Sequence, residues 1–416
     1  MEHSVAVVNI GQLVTLSGPA RPRAGEEMRE LGLVRDAVLL IEDGRVAAIV
    51  TYAEIGSRIG PRTTVIDAET RCVTPGFVDA HTHLVFASNR AAEFEQRIAG
   101  ATYQQIAASG GGIWSTVQKT REATEEELLD IARNYRDWML RSGTTTLEAK
   151  SGYGLDHATE LRILRVFARL NEEGPTTIVP TLLAAHAMPP KYAERRTDYI
   201  RWISESLIPE VAAAKMARYC DAFCDEHAFS VEEAEAVFKA AKAKGLGLRV
   251  HADQFKPGTG AALAARLGAA TADHLEVVTE PTLTRLREAH VQPVLLPGSV
   301  FALGRTQYAP ARMMIEMGLG VVLATDFNPG SSPIVSMPFV MSLACLQMKM
   351  TPAEALTAGT INAAFSLELG DSVGSLETGK KADFAIHEFK DYRELAYFIA
   401  APARPRVFVA GAEVSK

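Results

Sequence analysis

Cysteine is scarce in this chain, charge never gathers in runs, and no long apolar segment occurs; each shortage removes a class of protein. Four cysteines among 416 residues cannot form the dense disulfide framework that staples small secreted domains. No apolar run approaches the roughly 20 residues needed to cross a bilayer, so no membrane association is expected. Lys and Arg form no cluster and the formal net charge is −7, which leaves no basic footprint for a nucleic acid. The opening MEHSVAVVNIG lacks the basic and apolar regions of a secretory leader, and the cytoplasm is the expected address. What is present is 47% hydrophobic and 22% charged, the balance of an ordinary folded protein.

Both ends read as β structure. Apolar runs at 37–42 and 45–50 flank Asp43-Gly44, a strong two-residue hairpin signal. Near the other end, 382–387 and 407–410 are rich in β-formers, and Gly411 can turn the chain. Neither end closes a core alone. The expectation is one small β-sandwich domain built from residues 1–75 and 376–416. Between them, 76–375 alternates short apolar strands with amphipathic helical patterns at 125–141, 159–171 and 232–244. Thr124 and Glu127 make a capping box for the first of these helices. Strand candidates end near His83, Lys150, His186, Glu226, His251, His274, Pro297 and Asp326. Eight parallel strands with intervening helices make a (β/α)₈ TIM barrel, so the fold class is α/β.

The strongest local signal is the segment from Val73 to His83, which closes on His81-Thr-His83. Residues i and i+2 of a strand share a face, so His81 and His83 project together. They fall at the carboxyl end of the first barrel strand, the rim where barrel sites lie. His251, His274 and Asp326 end the fifth, sixth and eighth strands in the same way. Any one of these histidines alone is more often structural, but four polar strand ends in register are hard to explain as packing. Three imidazoles and a carboxylate suit one divalent ion with a position left for water. Zn²⁺ is the first choice and iron the alternative.

This arrangement resembles the amidohydrolase superfamily, whose strand 1, 5, 6 and 8 positions are matched by His81, His83, His251, His274 and Asp326. Many members bridge two ions through a carbamylated lysine on strand 4. Residues 221–227 hold no lysine, so the resemblance implies a mononuclear site with His81, His83, His251 and Asp326 as ligands. Over nearly the full chain the motifs look like the imidazolonepropionase family: His81-Thr-His-Leu-Val-Phe86, Gly110-Gly-Gly-Ile113, Glu148-Ala-Lys-Ser-Gly-Tyr-Gly154, Leu183-Ala-Ala-His-Ala187, His251-Ala-Asp253, Ala272-Asp-His-Leu275 and Thr325-Asp-Phe-Asn-Pro-Gly-Ser331. The resemblance implies hydrolysis of 4-imidazolone-5-propanoate to N-formimidoyl-L-glutamate in histidine degradation, and a homodimer.

A small ring bearing a carboxylate needs a cation, ring contacts and a means of polarising the lactam carbonyl. Arg90, in the loop leaving the first strand, offers a guanidinium fork that matches a carboxylate. Tyr153 lies between two glycines that let the backbone approach a ligand. His186 is expected to donate to the carbonyl oxygen. Asn328, Gly330 and Ser331 follow Asp326 and can contact ring or product. Gln254 stands where some members of the family carry glutamate; it cannot act as a base, which leaves the protons to His274 and Asp326. The competing enzyme reading is a mononuclear deaminase of a purine, pyrimidine or pterin. Such deaminases commonly place a glutamate just past the strand-5 histidine, and Gln254 weighs against it. A non-catalytic scaffold is the remaining alternative, and it would have no use for an intact ligand set.

Overall fold

The computed structural model describes residues 4–55, 58–101, 105, 110–225, 228–258 and 260–414. Its centre is one eight-stranded sheet: Phe77–Thr82 (β1), Thr144–Lys150 (β2), Thr177–Ala185 (β3), Tyr219–Cys224 (β4), Gly247–Ala252 (β5), Thr271–His274 (β6), Gln292–Leu295 (β7) and Val322–Leu323 (β8). Each strand pairs in parallel with the next in chain order. Closure comes from the segment after β8. The Asp326 N–H donates to the His81 carbonyl at 3.0 Å, and the His83 N–H to the Phe327 carbonyl at 2.8 Å. Thr82 bridges Phe327 in parallel. The sheet is therefore a barrel, sealed through the residues that carry His81, His83 and Asp326.

The expected strand ends fall close to the observed ones. The largest difference is at β8, which leaves regular geometry at Leu323, before Asp326. The fourth expected end, Glu226, lies outside the described residues together with His227, and β4 ends at Cys224. The helices stand where the 3.6-residue period puts them. Glu125–Arg141 begins on Thr124, whose hydroxyl accepts from the Glu127 N–H at 3.2 Å while Glu127 accepts from the Thr124 N–H at 2.8 Å. It buries Leu128, Leu129, Ala132 and Met139 against the barrel. The other two run His157–Glu173 and Val231–Ala243, capped by Asp156 and Ser230.

Two further sheets come from the ends of the chain. In the four-stranded one, Ala37–Glu42 pairs with Arg45–Thr51 across Asp43 and Gly44. Both turn residues have positive φ, 47° and 77°, as a tight hairpin of matching twist requires. The six-stranded sheet interleaves both ends, with Phe384–Ile386 and Arg406–Val409 beside Cys72–Pro75 and Gln12–Val14. One hydrophobic cluster joins the two sheets through Val7, Leu39, Ile41, Leu13, Val73, Phe384 and Phe408. The termini do meet in space. The four cysteines are unpaired thiols, and among the described residues no helix is long and apolar enough to cross a membrane.

Candidate active site and metal centre

The five residues from distant strand ends converge. His81 Nε2 and His83 Nε2 each lie 3.5 Å from Asp326 Oδ1. The His81 ring is centred 4.5 Å from that of His251 and 5.8 Å from that of His274. Donor atoms of His81, His83 and Asp326 fall within 4.8 Å of one another, as do those of His81, His251 and His274. His274, expected to handle protons rather than to bind the ion, is thus as near the centre as the others. All five are buried. The turn at the rim is strained to put them there: His274, Leu275 and Asp326 have φ of 82°, 67° and 53°, a left-handed region that such side chains rarely adopt and that collects at functional sites.

A layer of carboxylates fixes the imidazoles from behind. His81 Nδ1 lies 2.7 Å from Asp273 Oδ2, and His251 Nδ1 3.0 Å from Asp221 Oδ2. An ionised carboxylate only accepts, so each Nδ1 carries the proton and each Nε2 presents a lone pair. Among the described residues, His81 Nε2 and His251 Nε2 are buried with no hydrogen-bond partner. Two orphaned lone pairs aimed at a third histidine and a carboxylate are what a borderline divalent cation satisfies, so the donor set fits a metal ion. Burial holds the His81 and His83 imidazoles well below their ordinary range, hence neutral, and pushes the Asp326 carboxyl up. Burial also opposes charge on His274, but the Glu276 carboxylate, 3.3 Å from its Nδ1, together with Asp326 and Asp273 outweighs it and raises the ring to about 9.

Beneath this layer lies Lys150. Its ammonium donates to Asp221 at 2.8 Å and Glu148 at 2.9 Å and stands 3.6 Å from Asp273. It therefore ties together the two carboxylates that orient His81 and His251. Burial opposes its charge, but Asp221, Glu148 and Asp273 together raise it. Arg249 donates to the carbonyls of Ala80 and Ser366 at 2.8 and 3.0 Å. It too is buried beside Glu148 and Asp273. The sequence reading missed Lys150, Asp221, Asp273, Glu148 and Glu276, although four of them stood inside quoted motifs or strands. The signal was there: charged residues in strands otherwise apolar and buried on both sides.

Of the residues expected to meet substrate, His186 and Tyr153 pack directly against the imidazoles. The His186 ring stacks on His83 at 5.1 Å, and the buried Tyr153 ring lies 5.4 Å from His186 and 5.9 Å from His83. Arg90 Nε donates to Thr116 at 2.9 Å, and a Cβ on Gly330 would sit 2.4 Å from Arg90 Nη1. A side chain at 330 would push the guanidinium out of its present place. Gln254 is buried, its N–H held by Asp225 at 2.8 Å.

Two expectations change. The Asn328 side chain spends itself on its own loop, accepting from the N–H groups of Gly330 and Ser331 at 2.8 and 2.7 Å and donating to the Asp326 carbonyl at 2.6 Å. It shapes the turn that Gly330 and Ser331 present. His186 Nδ1 donates to the Gly152 carbonyl at 3.0 Å, and burial keeps the ring neutral. Its Nε2 then holds a lone pair and is set up to accept a hydrogen bond, where donation to a carbonyl oxygen was expected.

A closed parallel barrel with imidazoles and a carboxylate gathered at the carboxyl ends of its strands defines a class, the barrel hydrolases built to hold a divalent ion. A model of the amidohydrolase family matches residues 72–414. The imidazolonepropionase of Solibacter usitatus (strain Ellin6076) is 55% identical over 406 residues, which cover 98% of this chain and 97% of that protein. That of Geobacillus thermodenitrificans (strain NG80-2) is 47% identical over 391 residues, covering 93% and 92%. The chain belongs to the amidohydrolase family and, within it, to the imidazolonepropionases. Among solved structures, the 5-methylcytosine deaminase from Klebsiella pneumoniae liganded with 5-fluorocytosine superposes with a TM-score of 0.74 at 18% identity, covering 98% of this chain and 97% of that one. At that identity the likeness is one of fold.

Proposed function

We propose that the protein hydrolyses the cyclic amide C–N bond of 4-imidazolone-5-propanoate, giving N-formimidoyl-L-glutamate in histidine degradation. The observation that carries this reading is identity of 40–55% to imidazolonepropionases over 90% or more of the chain. His81, His83, His251 and Asp326 would hold one divalent ion, Zn²⁺ as first choice and iron as the alternative. When bound, the ion supplies a Lewis acid that polarises the ring carbonyl and makes water nucleophilic near neutral pH.

The chain's own groups do the rest. Arg90 binds the propanoate carboxylate in its guanidinium fork. Tyr153 lies against the ring, and His186 Nε2 and Gln254 hydrogen-bond its edge. The turn of Gly330 and Ser331, shaped by Asn328, closes over the same carboxylate that Arg90 holds. Asp326 takes a proton from the attacking water and returns it to the departing ring nitrogen. His274, its Nδ1 held by Glu276, keeps that water aligned and shares the proton. Residues 1–75 and 376–416 form the small β domain, 76–375 the barrel, and the protein works as a cytoplasmic homodimer.

The test is a spectrophotometric assay of freshly prepared 4-imidazolone-5-propanoate beside guanine and cytosine. Only the imidazolone should be consumed. Turnover of guanine or cytosine in its place would sink the reading.

A further inference from the structure

Tyr153 sits in a turn whose backbone, outside any helix or strand, carries its buried ring against His83, Phe86 and His186. Gly152 has a φ of 106° and Leu155 of 53°, so the backbone bends sharply on either side of the ring. Such a turn leaves several N–H groups pointing inward, and buried N–H groups need acceptors. One side chain receives three of them. Glu160, in the first turn of helix His157–Glu173 and fully buried, accepts from the Gly154 and Leu155 N–H groups through Oε1 at 2.9 and 2.8 Å and from the Gly152 N–H through Oε2 at 3.1 Å. From the outer side, Arg121 donates to the carbonyls of Gly154 and Leu155 at 2.7 and 3.0 Å. The turn is thus held by an acceptor within and a donor without.

The glycines fit this account. A Cβ on Gly154 would lie 2.7 Å from the Glu160 nitrogen and 2.8 Å from its Oε1. On Gly152 it would lie 2.8 Å from the Leu183 carbonyl oxygen and 3.0 Å from His186 Nδ1. Both positions are bare because the carboxylate and the neighbouring strand come that close. Glu160 reaches none of the site imidazoles, so it has no part in the chemistry itself.

We infer that Glu160 is a positioning residue for substrate binding: its carboxylate gathers the turn that aims Tyr153 at the ring, and so sets KM. This rests on the reading that Tyr153 touches substrate. A glutamine would turn an NH₂ group toward at least one of the three N–H donors, and buried donors that face each other push apart. A displacement near an ångström is enough to cost binding heavily.

Glu160→Gln should raise KM about tenfold or more, with kcat within about threefold of the parent and metal content unchanged. On a Tyr153→Ala background the same replacement should change KM by no more than about threefold, because the group it positions is gone. A lowered Tm with unchanged KM would make Glu160 a purely structural residue and overturn the inference. So would an equal tenfold effect on both backgrounds. If Tyr153→Ala alone leaves KM at the parent value, the failure lies in the Tyr153 reading, and the inference falls with it. Should Glu160→Gln not fold, Glu160→Asp retains the charge but draws it back by one methylene. A raised KM at unchanged kcat then supports the inference, and parent kinetics overturn it.

Discussion

The molecule fills two cores in opposite ways. Under the rim of the barrel, Glu148, Lys150, Asp221, Arg249 and Asp273 are all 1% exposed or less. Between the sheets built from the termini, the cluster of Val7, Leu39, Ile41, Val73, Phe384 and Phe408 is apolar throughout. Apolar burial needs no partner and contributes stability in proportion to area. A buried ionic set must recover the desolvation of every charge, and apolar side chains of similar volume commonly do as well or better for stability. The barrel keeps its ions because orientation is needed there: they hold two imidazoles with their lone pairs toward one point. The difference teaches that one core is built for stability and the other for geometry.

That division can be broken at several places. Asp326→Asn keeps shape and removes the charge at the rim; kcat should fall by about a thousandfold, the scale of a lost acid–base group. Its melting temperature should stay within a few degrees of the parent. Near-full turnover would remove Asp326 from the proton-handling role. Lys150→Met reaches the layer below. Asp221 and Glu148 lose the ammonium they share in a dry interior, which should cost about 3–5 kcal/mol of stability and roughly 10- to 100-fold in metal affinity by chelator competition. Unchanged affinity would mean that the ammonium does not act through Asp221 and Asp273. Phe408→Ala strikes the other core, where its ring stacks on Phe384 with centroids 4.4 Å apart. The loss should be about 3–5 kcal/mol, read as a lower Tm, with kcat and KM at 25 °C unchanged. A tenfold fall in kcat would show the two cores to be coupled.

What could be read in advance follows the same line. His81 and His83 were legible because a strand's period of two is local, and Asp43-Gly44 because a turn type depends on two residues. The ends of the barrel strands stood out as polar punctuation after apolar runs. The layer behind the imidazoles did not, because Lys150 and Asp221 meet across β2, β3 and β4, and which charges face each other depends on register and closure. His186 and Asn328 were placed at the site, but their hydrogen bonding was misjudged. Both partners are backbone groups, the Gly152 carbonyl and the N–H groups of Gly330 and Ser331, and composition says nothing about where those point. Glu160 lay only five to eight residues from the N–H groups it collects, yet a glutamate in a first helical turn has an ordinary explanation, the helix dipole.

The smallest expected effect lies at the seam between the two cores and is visible only at low pH. His387 follows the strand Phe384–Ile386; its Nε2 lies 2.8 Å from the Thr74 hydroxyl, which itself donates to the Pro75 carbonyl at 2.9 Å. The hydroxyl proton is committed, so Nε2 carries the imidazole's one proton and donates. The ring rests 5.9 Å from Phe77, the first residue of β1. Burial lowers His387 to about 4, against about 6.5 in an unfolded chain. Between those values the unfolded state binds the extra proton and the folded state does not, so stability falls as pH drops from about 6.5 to about 4 and is level above that window. The full difference is about 3–4 kcal/mol, from roughly 1.4 kcal/mol for each unit of separation. His387→Gln retains a donor toward Thr74 without a group that titrates there. Its deficit in Tm against the parent at pH 7.5 should therefore shrink by pH 4.5, and a deficit that stays constant across that range would mean that His387 is not held neutral by the fold.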